Sequence, residues 1–177
     1  MNQSKFNVHK MTLLAILTAG AIVIGILESL IPSIGIPGVK LGLSNIVILI
    51  VLYELGIWES ILVSLSRVLI VSLVRGTFLS MGFVMSLSGA VISLGVMILF
   101  YLLIKKFSII GVSVIGALFH IFAQVGVAML YLSSAYVIYY LPIIAVSAII
   151  TGVIVGISAQ IVINTKIIAK QKEKYKF

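Results

Sequence analysis

Met11-Thr-Leu-Leu-Ala-Ile-Leu-Thr-Ala-Gly-Ala-Ile-Val-Ile-Gly-Ile-Leu-Glu-Ser-Leu-Ile31 runs for twenty-one residues with one charged side chain, Glu28, and stops at Pro32. About 20 apolar residues in helical form cross the hydrocarbon core of a bilayer. Working outward, the same kind of run recurs. A second span is expected over Leu41–Leu55, and Gly56 turns the chain into a third over Ile57–Val74. A fourth covers Phe78–Ile104, a fifth Ile109–Leu132 and a sixth Tyr140–Asn164. These stretches are continuous and about twice as long as the alternating segments, near ten residues each, of a membrane β-barrel. The expected fold is therefore an all-α integral membrane protein, one bundle of six transmembrane helices filling residues 1–177.

Composition agrees. The chain is 62% hydrophobic and 9% charged, with a mean hydropathy of +1.35. A soluble domain carries about 25% charged residues, and it cannot hide this much apolar surface. Ala-Gly-Ala after Lys10 has the look of a signal-peptide end, but the apolar run continues past it, so an uncleaved first span is expected.

Lysine sets the orientation. Lys5 and Lys10 precede the first span, Lys105 and Lys106 separate the fourth and fifth, and five lysines follow the sixth. In a six-span count all three places fall on one side, and short loops rich in lysine stay cytoplasmic. Both termini are thus expected inside, in a multi-pass protein of the plasma membrane. The net charge of +8 is a topology signal and not a nucleic-acid footprint.

Several chemistries are excluded. There is no cysteine and no aspartate, and the four acids are Glu28, Glu54, Glu59 and Glu173. No glycine-rich stretch ends in Gly-Lys-Ser/Thr, so the chain has no nucleotide-binding loop of its own. Hard divalent ions want clustered carboxylates, which this sequence does not supply. No enzyme activity, no metal site and no cofactor of its own are expected.

Polar residues inside spans are costly and face protein or water. In the third span Ser60, Ser64, Arg67 and Arg75 share one face, and in the fifth Ser113, Ala117, His120, Gln124 and Tyr131 share another. Arg67 is expected to pair with Glu28, Glu54 or Glu59, with Glu28 and Arg67 the core of an intramembrane charge network. Lys40, Asn45, Arg75, His120, Gln124 and Tyr131 fall toward the outer end and are the candidate substrate-binding residues, Lys40 and Arg75 for an anionic group. The segment Pro32–Asn45, with two prolines and three glycines, reads as a shaped loop over that end. Ala15 and Ala19 put two small residues on one helical face, where another helix can approach closely.

Leu27-Glu-Ser-Leu-Ile-Pro32, Pro37-Gly-Val-Lys-Leu-Gly-Leu-Ser-Asn45, Arg67, Arg75-Gly-Thr77 and Gly111-Val-Ser-Val-Ile-Gly-Ala-Leu-Phe-His120 carry a resemblance over essentially the whole chain. It resembles the family labelled heptaprenyl diphosphate synthase component I, also called the Gx transporter family. That family is similar to the substrate-binding S components of energy-coupling-factor (ECF) transporters. The resemblance implies capture of a small vitamin, cofactor, quinone or isoprenoid precursor at the outer face, with Ser33 to Lys40 as the lid. It also implies docking through Ala15 and Ala19 on a T component, with two partner ATPases hydrolysing ATP. The label leaves open a non-catalytic membrane accessory of polyprenyl diphosphate or menaquinone synthesis. A membrane component of a flavin- or quinone-based extracellular electron-transfer system is a third reading, because similar proteins occur beside genes for such systems.

Overall fold

The computed structural model describes residues 8–30, 42–104, 107–165 and 167–175. Through them run α1 (Val8–Leu30), α2 (Asn45–Glu54), α3 (Ile57–Val74), α4 (Met81–Leu103), α5 (Ile109–Leu132), α6 (Leu141–Asn164) and α7 (Ile167–Tyr175). A 3-10 segment, Ala135–Tyr140, leads into α6. Among the described residues there is no strand. Five helices are long and apolar enough to cross a membrane: α1, α3, α4, α5, and α6 taken with its 3-10 lead-in. That architecture indicates a multi-pass membrane protein.

Local chemistry sets the helix ends. The Ser80 side chain accepts from the Phe83 amide at the start of α4, and the Ser108 side chain accepts from the Gly111 amide at the start of α5. Each caps an amide that has no partner inside its helix. Pro142 lies in the first turn of α6, where a missing N–H costs nothing.

The second expected span needs correcting. Leu41 itself lies outside the described residues, and the helix starts only at Asn45. Gly42 adopts φ +81° and its carbonyl accepts from the Asn45 amide at 2.9 Å, so a turn occupies the place where the span was expected to begin. Ten helical residues reach about 15 Å, half a bilayer core. The fourth span is also shorter than expected. Gly76 at φ +63° and Leu79 at φ +62° break the chain before Ser80 starts α4.

The core forms around α2, seven of whose ten residues are buried, from Asn45 and Val47 through Leu52. Glycines then draw the long helices together. A Cβ on Gly156 would lie 2.6 Å from Ile110 Cα, and one on Gly152 would lie 2.8 Å from Val114 Cα, so α6 rests on the backbone of α5. Gly116 of α5 admits Met97 of α4, and Gly89 of α4 admits His120 of α5. These contacts run the helices antiparallel and give the bundle two distinct ends. One end gathers the Lys10–Glu59 ion pair and the Tyr53–Tyr101 edge contact. The other gathers Glu28, Gly42, Thr77 and Gly82.

The outside is apolar. Met11, Ile16, Val23 and Leu27 of α1 are all more than half exposed, as are Ile143, Val146 and Ile150 of α6. Trp58 is exposed near the Lys10–Glu59 end, whereas Tyr136 and Tyr139 stack, also exposed, at the start of α6. Aromatic residues at both ends of an apolar band are what membrane–water interfaces select.

Candidate ligand cleft

A narrow cleft opens at the end of the bundle that gathers Glu28 and Thr77. Helix α1 contributes Gly25 and Glu28, and the turn before α2 contributes Gly42 and Ser44. Arg67, Val71 and Ser72 come from α3, Phe83 and Ser86 from α4, and His120 from α5. Gly25 matters for its lack of a side chain: a Cβ there would lie 3.2 Å from Val71 Cγ2 and 3.7 Å from Arg67 Cγ. It lets α1 press against the helix that carries the arginine.

Two buried charges face one another across a hydroxyl. Glu28 is 6% exposed and Arg67 is 5% exposed. Glu28 Oε1 accepts from the Gly42 amide, and Oε2 accepts from the Ser44 hydroxyl at 3.2 Å and the Ser44 amide at 3.5 Å. Arg67 Nη1 donates to Ser44 Oγ and, at 3.5 Å, to Asn45 Oδ1. A charge inside a membrane protein persists when paired and hydrogen-bonded. Here the bridge also has a mechanical consequence, because Glu28 of α1 holds the turn that starts α2. Of the three acids expected as partners for Arg67, Glu28 is the one on its network, while Glu59 pairs with Lys10 at the far end.

The six candidate binding residues divide. His120 is buried and lines the cleft, its Nε2 2.9 Å from the amide nitrogen of Gln124, which is fully buried one turn along. Asn45 is buried behind the cleft wall, against Arg67. Arg75 and Tyr131 are exposed and do not line it. Lys40, like the lid at Ser33 to Lys40, lies outside the described residues. Ala15 and Ala19 are exposed on the apolar face of α1 that carries Met11, Val23 and Leu27. Among the described residues, no three His, Cys, Asp or Glu side chains gather where a metal ion would sit.

Sequence reading missed Ser44 as the hinge of the network, and Ser72, Ser86 and Phe83 as cleft wall. The signal for Ser44 was present, since it sits beside Asn45 in a Gly-rich turn. Ser72 and Ser86 gave none, because an isolated serine in a span usually bonds its own helix.

A model of the family described as heptaprenyl diphosphate synthase component I matches residues 17–162. The chain belongs to this family. The description names a component of heptaprenyl diphosphate synthesis, and the match runs from α1 to α6. Every cleft residue lies within the matched stretch, as does Ala19, whereas Ala15 precedes it. No curated protein and no solved structure matches the chain.

Proposed function

We propose that this chain is the substrate-binding, S component-like subunit of an ECF-type importer. It would lie in the plasma membrane with six passes, the short α2 completing a span inside the bundle, and with both termini cytoplasmic. The observation that carries this reading is the pair of buried charges, Glu28 and Arg67, beside a cleft that opens at one end of the bundle. Ionisable groups held inside a membrane protein next to a cavity are where transport proteins meet their cargo. The cleft lies opposite the end where Lys10 begins α1 and pairs with Glu59. With lysine-rich ends inside, it faces out.

In this reading the chain captures a small molecule and does no chemistry on it. ATP would be hydrolysed by two partner subunits, linked through a T component that docks on the Ala15/Ala19 face. The exposure of both alanines on a face left open by the other helices supports that dock.

The family description favours a second reading, a non-catalytic membrane component of heptaprenyl diphosphate synthesis. One experiment separates the two: purification of the tagged chain from its native membrane in mild detergent, with partners identified by mass spectrometry. Recovery of a T component and two ATPases supports the importer. Recovery of a soluble aspartate-rich synthase with no ATPase contradicts it.

A further inference from the structure

We propose that Arg67 is the group that grips the ligand, and that the cleft takes a small flat monocarboxylate with hydrogen-bond donors elsewhere on it, not a diphosphate. The proposal rests on reading the cleft as a ligand site and adds the chemical class.

A guanidinium carries five N–H donors in a planar fork. Nη1 of Arg67 is occupied by Ser44 and Asn45. Among the described residues no acceptor answers Nε or Nη2, and neither atom is sealed away from open space. Arg67 is nineteen-twentieths buried, and the space it borders is the cleft. With Nη1 spent on the protein and the remaining donors open to the cleft, a side chain held this way is set to receive an acceptor from there. The Nε–Nη2 edge is the one that takes a carboxylate in two parallel hydrogen bonds.

Charge limits what that acceptor can be. Glu28 lines the same cleft, and its oxygens are taken up by Gly42 and Ser44. A ligand with several negative charges would find one guanidinium, one resident carboxylate and no second lysine or arginine among the described lining residues. One carboxylate fits. A diphosphate, with several charges crowded on one group, meets a single arginine and a resident carboxylate.

The hydroxyls point the same way. Ser72 donates to Leu69 O at 2.8 Å, Ser86 donates to Gly82 O at 2.8 Å, and Thr77 donates to Ser72 O at 3.4 Å. With their hydrogens spent on the backbone, these side chains offer lone pairs to the cleft. Lone pairs suit N–H and O–H groups on a ligand and do not suit phosphate oxygens. Val71 and Phe83 supply apolar contact between the polar groups, which fits a flat ring.

The test uses the purified full chain in detergent and follows its thermal unfolding with four probes: 4-aminobenzoate, 4-aminobenzamide, benzoate and inorganic pyrophosphate. The expected result is a rise in midpoint with 4-aminobenzoate, a smaller one with benzoate, and none with 4-aminobenzamide or pyrophosphate. Arg67→Lys keeps the charge beside Glu28 and loses the fork, so it should need at least about tenfold more 4-aminobenzoate for the same shift. Pyrophosphate acting as well as 4-aminobenzoate would overturn the proposal. So would equal shifts from the acid and its amide, an arm that needs no variant and stands even if Arg67→Lys does not fold. No shift from any probe also overturns it, while leaving the importer reading to be judged on its partner ATPases.

Discussion

Glu28 and Arg67 meet through Ser44: its hydroxyl donates to Glu28 Oε2 at 3.2 Å and accepts from Arg67 Nη1. The acid of one helix and the base of another are thereby tied to the turn that starts a third. Removing one buried charge leaves the other uncompensated and typically costs about 3–5 kcal/mol, whereas removing both is far cheaper. Glu28→Gln and Arg67→Met should each lower the unfolding midpoint sharply, and the double variant should recover much of the loss. Additive losses would show that the two charges are not coupled.

Ser44 should be as sensitive as its partners. Ser44→Ala deletes one donor and one acceptor among buried groups, and an unsatisfied buried group costs about 1–3 kcal/mol. Ser44→Thr keeps the hydroxyl and should retain more stability than Ser44→Ala. Thermal unfolding of the two variants side by side gives the order, and the reverse order would dissolve the bridge.

Glycine substitutions should rank by what the new methyl group meets. On Gly156 it would meet Ile110 Cα at 2.6 Å, backbone that no rotamer change moves. On Gly89 it would meet the His120 ring at 2.8 Å. Overpacking of this kind costs about 1–3 kcal/mol, and Gly156→Ala should sit at the upper end. His120→Ala should relieve Gly89→Ala and leave Gly156→Ala unrelieved. Gly95 and Gly126 have nothing within 4 Å, so alanine there should be neutral or should add up to about 1 kcal/mol of helix propensity. Midpoints of the four single variants and the His120→Ala doubles check the ranking.

The long helices were legible because their signal is composition over twenty residues, and the polar stripes because an arginine or histidine in such a run must face inward. Arg67 and His120 came to the same cleft for that reason. Periodicity alone misled at helix ends. Tyr131 shares the helical face of His120 and Gln124, yet it lies in the last turn of α5, beyond the neighbours that would cover it, and is exposed. Arg75 likewise shares a face with Arg67 but caps α3. The short α2 was hidden because Leu41 to Ser44 are apolar or small enough to extend a hydropathy run, while the turn there depends on the φ of a single glycine. The place of Ser44 beside Asn45 in a Gly-rich turn marks the residue, but its role depends on which helices meet there, since its partners Glu28 and Arg67 come from two others.

The Ala15/Ala19 face makes a prediction in which stability and association part company. Both residues are exposed, so leucine at the two positions should leave the unfolding midpoint unchanged. Close approach of a partner helix would be blocked. The expected result is an intact chain that no longer retains the T component and ATPases on purification. Full retention of those partners would remove the docking surface from the account.

The central claim is that a small molecule sits in the cleft beside Arg67. Native mass spectrometry of the chain purified gently from its own membrane tests it most directly. The account predicts one adduct per chain, of a few hundred daltons at most, carrying an acidic group and lost from Arg67→Lys. A bare chain mass, or an adduct equally abundant in Arg67→Lys, would contradict it.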